Sequence, residues 1–336
     1  MNYKLVQIKT FTFIILAIML FAAPVKANNS LSIEPVVGHK FGSTWYRLQV
    51  FEPIVEPQEN FDFTDVGIQS ELEYPLDVAI AGMAISTRFK IRGKNYFVKL
   101  RAWGNLNDPG EKMQDSDWFG AKNSNVTSLY KFSYTQSRSK LIWAGAELDI
   151  ESQNHVLFNR PVIYGMRFMG DYSYHKMYDI RGWYKLPGSD KTTYESHINE
   201  LVLTYKLLHL EPDFYLKLKL AETSKYSWHT TLLASPLVFA YDKDDHVLRN
   251  KNTETKAFGF SAGLLNELTI NLNRDIALTA ALNIHYFRTE GGMRQKFYGD
   301  DPGTEDKDET GLEFKNIDNV ISMFTQEIAL GIRVSF

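Results

Sequence analysis

The chain of 336 residues contains no cysteine. That excludes a disulfide framework, a thiolate metal site, an iron–sulfur centre and a thiol nucleophile. Positive charge is not in surplus either: 37 basic against 40 acidic side chains give a net charge of −3, the wrong balance for a nucleic-acid binder. Beyond residue 27 no run of about 18 apolar residues occurs, so a helical membrane protein is excluded. Familiar catalytic signatures are missing as well: no His-Glu-x-x-His helix, no Gly-x-Ser-x-Gly elbow and no P-loop. Asp242-Lys243-Asp244 opens like an EF-hand loop, but Val247 stands where the turn needs Gly and Thr253 where calcium needs Glu. Calcium by that route fails and no metal site is expected, a weak divalent-ion site in the acidic stretch 300–309 being the minor alternative. Aromatics, by contrast, are abundant: 22 Phe, 18 Tyr and 6 Trp are too many for a disordered chain.

The N-terminus reads as a secretory signal over residues 1–27. Lys4 and Lys9 form a positive start, Phe11 to Ala23 is a short apolar run, and Val25-Lys26-Ala27 puts small residues at the −3 and −1 positions of a cleavage site. The mature chain, 28–336, would carry 34 basic and 40 acidic residues, a charge of −6. What it shows is alternation. Phe324, Ile328, Leu330, Ile332, Val334 and Phe336 share one parity, and Thr325, Glu327, Ala329, Gly331, Arg333 and Ser335 the other. Phe214, Leu216, Leu218 and Leu220 repeat the pattern against Tyr215, Lys217 and Lys219. A strand sends successive side chains to opposite faces, so each of these has one apolar face. A soluble sandwich also alternates. The export signal and a last strand closing on Phe336 favour a lipid-embedded barrel, apolar outside and polar inside.

The punctuation predicts ten strands, near 34–51, 65–90, 96–108, 128–150, 161–185, 194–221, 227–246, 256–272, 275–290 and 315–336. Short turns fall at 92–95, 151–154, 223–225 and 273–275, and long loops near 52–64, 109–127, 186–193, 247–255 and 291–314. Short connections on one side and long ones on the other suit an outer-membrane barrel, the long side being extracellular. The expected fold is therefore all-β, a single domain forming a ten-stranded antiparallel transmembrane barrel.

Two groups of residues carry chemistry. Asp115-Ser116-Asp117 lies after the third strand, and residues i and i+2 of an extended segment aim at one point. Such a pair is usually turn chemistry. Asp244-Asp245-His246 ends the seventh strand. Counting by twos sets Asp242, Asp244 and His246 on one face and Leu237, Phe239 and Tyr241 on the other, so the polar set points into the lumen. An Asp beside a His can fix the imidazole tautomer and stabilise its protonated form. Taken alone, this dyad also fits a solvated rim histidine. The acids Asp300, Asp301, Glu305, Asp306, Asp308 and Glu309 read most simply as a solvated face.

These blocks resemble the omptins, outer-membrane endopeptidases on a ten-stranded barrel. The resemblance runs from Trp103 through Lys112-Met113-Gln114-Asp115-Ser116-Asp117-Trp118, and from Tyr205-Lys206 to Asp242-Lys243-Asp244-Asp245-His246. Ser70-Glu71-Leu72, Ser137-Arg138 and Glu147-Leu148-Asp149 are similar too. It implies an aspartyl-type endopeptidase without a covalent intermediate or cofactor, acting on peptides or proteins outside the cell. His246, oriented by Asp244, would activate a water, and Asp115 and Asp117 would hold that water across a groove. Omptins cut between basic residues; Asp242 matches one recognition acid, while the other position falls on Tyr46. The family relies on lipopolysaccharide held by an outer basic cluster, and the matching stretch here is Ser173-Tyr174-His175-Lys176, with a lysine but no arginine. The implied partners are thus peptide substrates and outer-membrane lipid. The competing reading is a catalytically inert barrel serving as adhesin or structural protein. A diffusion porin is disfavoured, because side chains largely fill so narrow a lumen.

Overall fold

The computed structural model describes residues 31–53, 65–91, 94–122, 127–152, 155–157, 160–185, 190–302 and 308–336. The predicted signal, 1–27, lies outside these residues. The described chain forms β1 (Leu31–Pro53), β2 (Asp65–Pro75), β3 (Val78–Ile91), β4 (Lys94–Asn105), β5 (Lys112–Lys122), β6 (Thr127–Ser152), β7 (His155–Leu157), β8 (Arg160–Tyr184), β9 (Thr193–Glu222), β10 (Tyr226–His246), β11 (Lys251–Asn271), β12 (Ile276–Phe297) and β13 (Glu313–Ser335). All pair antiparallel. β1 pairs with β3 and β13, and the sequence β1-β3-β4-β6-β8-β9-β10-β11-β12-β13 closes a ring of 10 strands. The seam lies between the first and last strands, where the Phe336 amide donates to Leu31 O at 2.8 Å.

β2 and β5 extend the ring upward, toward the long connections, and the short β7 pairs with the start of β8 at the short-turn end. β2 and β3 are two pieces of one staggered strand, and so are β4 and β5; above the break β1 pairs with β2, β2 with β5, and β5 with β6. Gly42 marks the change of partner. Lys40 still faces Val78 on β3 and Ser43 already faces Pro75 on β2. Gly42 has φ +130°, a conformation open to glycine alone at little cost, and its carbonyl accepts from the Leu76 amide at 2.8 Å. At the second break side chains replace the missing backbone ladder. Asn105 Oδ1 accepts from Trp143 N at 2.7 Å, and Asp108 Oδ1 from Leu141 N at 2.9 Å, so β6 keeps its buried amides bonded.

Alternation sorts every long strand into two faces. Outward positions hold Phe324, Ile328, Leu330 and Ile332 on β13, Leu278 and Leu282 on β12, Phe258 and Phe260 on β11, and Leu210 and Phe214 on β9. These form an apolar belt around the lower part of the ring. The lumen inside the belt is packed with ion pairs: Arg167 with Asp149 (2.7 Å) and Glu147 (3.5 Å), Arg101 with Glu327, and Glu211 bridging His209 (2.9 Å) and His285 (2.8 Å). Charges this far from bulk water cost several kcal/mol each if left single, about enough to explain why they are paired. Above them lies an apolar layer that includes Trp103, Trp143, Leu141, Val238, Phe287 and Met323.

Three predicted boundaries need correction. The segment predicted as loop 109–127 resumes the sheet as β5, so Asp115 and Asp117 lie on a strand. β11 starts at Lys251 inside the predicted loop 247–255, and β12 runs on to Phe297 with β13 starting at Glu313, inside the predicted loop 291–314. Above the belt neither face has to be apolar, so the period-two signal fades while the hydrogen-bonded ladder continues.

Candidate active site

At the upper rim four strands bring polar side chains onto the inner face. On β5, Met113 is buried in the lumen, and Asp115 and Asp117 follow on the same parity. The Ser133 hydroxyl of β6 donates to Asp117 Oδ2 at 2.5 Å. One oxygen of Asp115 is buried without a hydrogen-bond partner. On β10, Asp242 and Asp244 are sealed, at 0% and 1% exposure, and His246 beyond them is half-buried with its Nε2 2.9 Å from Asp244 Oδ2.

The inward direction of these three residues depends on a bulge. In the lower half of β10 the buried residues are Thr231, Leu233 and Ser235; in the upper half they are Val238, Ala240, Asp242 and Asp244. The pairing with β11 slips between Ser235 and Val238, around Pro236, which has no amide to offer a neighbour. The extra residue reverses the parity. Without it, the parity that carries Leu232 outward would carry Asp244 outward as well.

The two sides of the rim act on one another electrostatically. Burial first, then the charges of Asp117 and Asp244, push the Asp115 carboxyl well above the usual carboxylate range, against the pull of Lys251 and Arg249. Burial likewise raises Asp242, with Asp244 adding to it and Thr255 opposing. Carboxyls held protonated in this way can donate a hydrogen bond or a proton. The floor is aromatic: Tyr74 stacks on Tyr205 at 4.0 Å, and Tyr46 meets Tyr205 edge-on at 6.0 Å. Tyr46 is 1% exposed and its hydroxyl donates to the Met293 sulfur. The charges of Asp242 and Asp244 act on it, and the Asn319 amide donates to Thr255 Oγ1 at 2.7 Å.

The residues singled out in the sequence thus fall on one inner face at one end of the ring. Others there were not anticipated. Tyr74, Thr253 and Thr255 carry no motif. Lys251 falls in the predicted loop 247–255, although Lys251, Thr253 and Thr255 alternate as a strand does. Asp301 corrects the reading of the acidic segment as a solvated face: it is fully buried, bound by Arg249 Nε at 2.8 Å and Nη2 at 2.7 Å. Glu305 and Asp306 lie outside the described residues. Among the described residues no three His, Asp or Glu side chains are arranged to hold a metal ion. Cavities lie away from these residues, of about 570 Å³ at the short-turn mouth, about 540 Å³ beside Tyr134 and Tyr194, and about 490 Å³ beside Arg138 and Tyr178.

The fold is of the outer-membrane barrel type. The chain is similar to the crystal structure of the outer membrane protease OmpT from Escherichia coli, with a TM-score of 0.70 over 93% of this chain and 99% of that one, at 14% sequence identity. That likeness concerns the fold. The translocator domain of the autotransporter NalP from Neisseria meningitidis (TM-score 0.28, 10% identity, 98% and 96% covered) and a Pseudomonas aeruginosa FadL homologue (0.27, 8%, 91% and 90%) overlap too loosely to bear on this chain. No family model and no curated protein matches the sequence.

Proposed function

We propose that this protein is an omptin-like endopeptidase of the outer membrane, its rim site facing the cell exterior. The observation that carries the reading is the His246 Nε2–Asp244 Oδ2 pair at 2.9 Å on β10, within electrostatic reach of Asp115 on β5 and on an inner face that also holds Asp117. His246 takes a proton from a water lying between the two sides, and Asp244 holds the imidazole. Asp115 and Asp117 hold the water, and the raised Asp115 carboxyl supplies a proton as the tetrahedral intermediate collapses. Peptides or proteins are the substrates. The structure similar in fold is that of an outer membrane protease, which agrees with this chemistry.

Asp242 is the group that draws a basic side chain toward the bond to be cut. Its carboxyl is fully buried within electrostatic reach of Tyr46, so a lysine or arginine reaches it only when the site opens, and the preference is weaker than two acids would give. Lipid is the second partner. Lys140, Lys176, Lys206 and Lys243 occupy outward positions in adjacent registers above the belt, with Lys176 and Lys206 both 5.3–5.4 Å from the Tyr174 ring. Such a cluster suits the phosphates of lipopolysaccharide.

The test is to refold the full mature chain in detergent, with and without lipopolysaccharide, incubate it with a peptide library and sequence the cuts. Cleavage by the wild type, lost in His246→Ala and Asp115→Ala barrels that still fold, supports the reading. A folded wild type that cuts nothing in either condition overturns it in favour of an inert barrel.

A further inference from the structure

The rim holds four carboxyl groups (Asp115, Asp117, Asp242 and Asp244) and an imidazole, a set poorly suited to hold negative charge. A peptide carbonyl attacked by water becomes an oxyanion, and in such surroundings that charge needs a donor. Lys251 is the group in position. It opens β11 with the parity of Thr253 and Thr255, both buried against the lumen at 2% and 0% exposure, so its side chain is directed inward. In the β10–β11 ladder it lies directly opposite His246, which puts the two β-carbons roughly 5 Å apart.

Its surroundings favour that role. From β10 it faces Asp244 and His246, from β5 Asp115, and from the neighbouring connections Arg249 and Asp301. On its other side the β12 partner is Phe297, which is uncharged. Arg249 is already committed to the buried Asp301 through two nitrogens. Lys251, among the described residues, is in no ion pair, and its charge acts on Asp244 and Asp115 together. The inward-directed amine is therefore within electrostatic reach of both halves of the site.

We propose that Lys251 is the residue that stabilises the oxyanion; the inference rests on the endopeptidase reading above. Water oxygen bonds to the carbonyl carbon as His246 accepts one water proton, and the carbonyl π pair moves onto oxygen, where the Lys251 ammonium holds it. The intermediate then re-forms the carbonyl and breaks the C–N bond. The departing nitrogen takes the proton of the Asp115 carboxyl, the proton held by His246 then passes to Asp115 and restores both groups, and the products are a carboxylic acid and an amine. Lys251 keeps its proton throughout. Burial, aided by Arg249, lowers its pKa to about 8, so this function is lost just above neutral pH.

The experiment uses the refolded full mature chain in lipopolysaccharide and internally quenched peptides with Arg, Lys, Ala or Phe before the scissile bond. Folding of each variant is checked by heat-modifiable migration. Lys251→Met is expected to lower kcat by about 10²–10³-fold, the usual cost of losing one oxyanion donor, with KM changed less than about threefold. Lys251→Arg is expected to recover at least a tenth of the wild-type kcat and to move the alkaline limb of the pH profile upward, because a guanidinium does not titrate there. A wild type that cleaves, beside a folded Lys251→Met with unchanged kcat and alkaline limb, overturns this inference and leaves the endopeptidase reading intact. A wild type that cleaves nothing overturns both.

Discussion

His246 Nε2 stands 2.9 Å from Oδ2 of Asp244, while the other oxygen of that carboxylate, Oδ1, is buried with no hydrogen-bond partner. One oxygen orients the imidazole, and the other is left for the groove. Replacing Asp244 by Asn keeps the shape but presents either an amide or a weaker acceptor to the ring, allowing the wrong tautomer. Asp244→Asn is expected to lower kcat by about 10²–10⁴-fold with the barrel still folded. Peptide turnover beside heat-modifiable migration measures both, and wild-type turnover in this variant would remove Asp244 from the mechanism.

Tyr46 is expected to control substrate choice. It is buried within electrostatic reach of Asp242, the one carboxylate suited to a basic side chain. Tyr46→Ala should raise the rate ratio of Arg over Ala substrates by about tenfold, the value of one charge-assisted hydrogen bond of roughly 1.5 kcal/mol. Tyr46→Glu should raise it further. Relative cleavage rates for peptides varied at that one position give the ratio. An unchanged ratio in both variants would mean that Asp242 reads nothing.

The buried Asp242 carboxyl has a pH signature. Its folded pKa lies well above the unfolded value, chiefly through burial. A group shifted in this direction contributes stability below its unfolded pKa and loses it as pH rises through the folded pKa. Wild type and Asp242→Asn should therefore melt alike near pH 4, and the variant should melt higher as pH rises, by about 2–4 °C for each kcal/mol gained. Melting of the folded gel band across pH 4–9 tests this; a gap that narrows with rising pH contradicts it.

Gly42 should be intolerant of any side chain. Its φ of +130° is strained for other residues, and a β-carbon there would stand 2.1 Å from the Phe324 carbonyl oxygen. Backbone strain alone costs about 1–3 kcal/mol, before the clash. Gly42→Ala is expected to reduce the folded fraction after refolding and to lower the melting temperature. A variant that refolds and melts like wild type would show that β1 can change partners without this conformation.

Much of the ring could be read from residues alone. Ile328, Leu330 and Ile332 alternate with Glu327, Ala329 and Gly331 because the strand period is two and the outer face is apolar, and that rule applies locally to each strand. The pairing of Asp244 with His246 was legible for the same reason, since residues two apart on a strand share a face. Three things were decided only in the tertiary structure. The bulge at Pro236 chose which parity of β10 faces inward, a choice set by pairing with β9 and β11. Asp115 and Asp244, far apart in sequence, came within electrostatic reach only when the ring closed. Lys251 joined them through its register with His246. Side-chain direction follows from local covalent geometry and so is written in the sequence, whereas register, burial and the meeting of charges depend on which strands become neighbours.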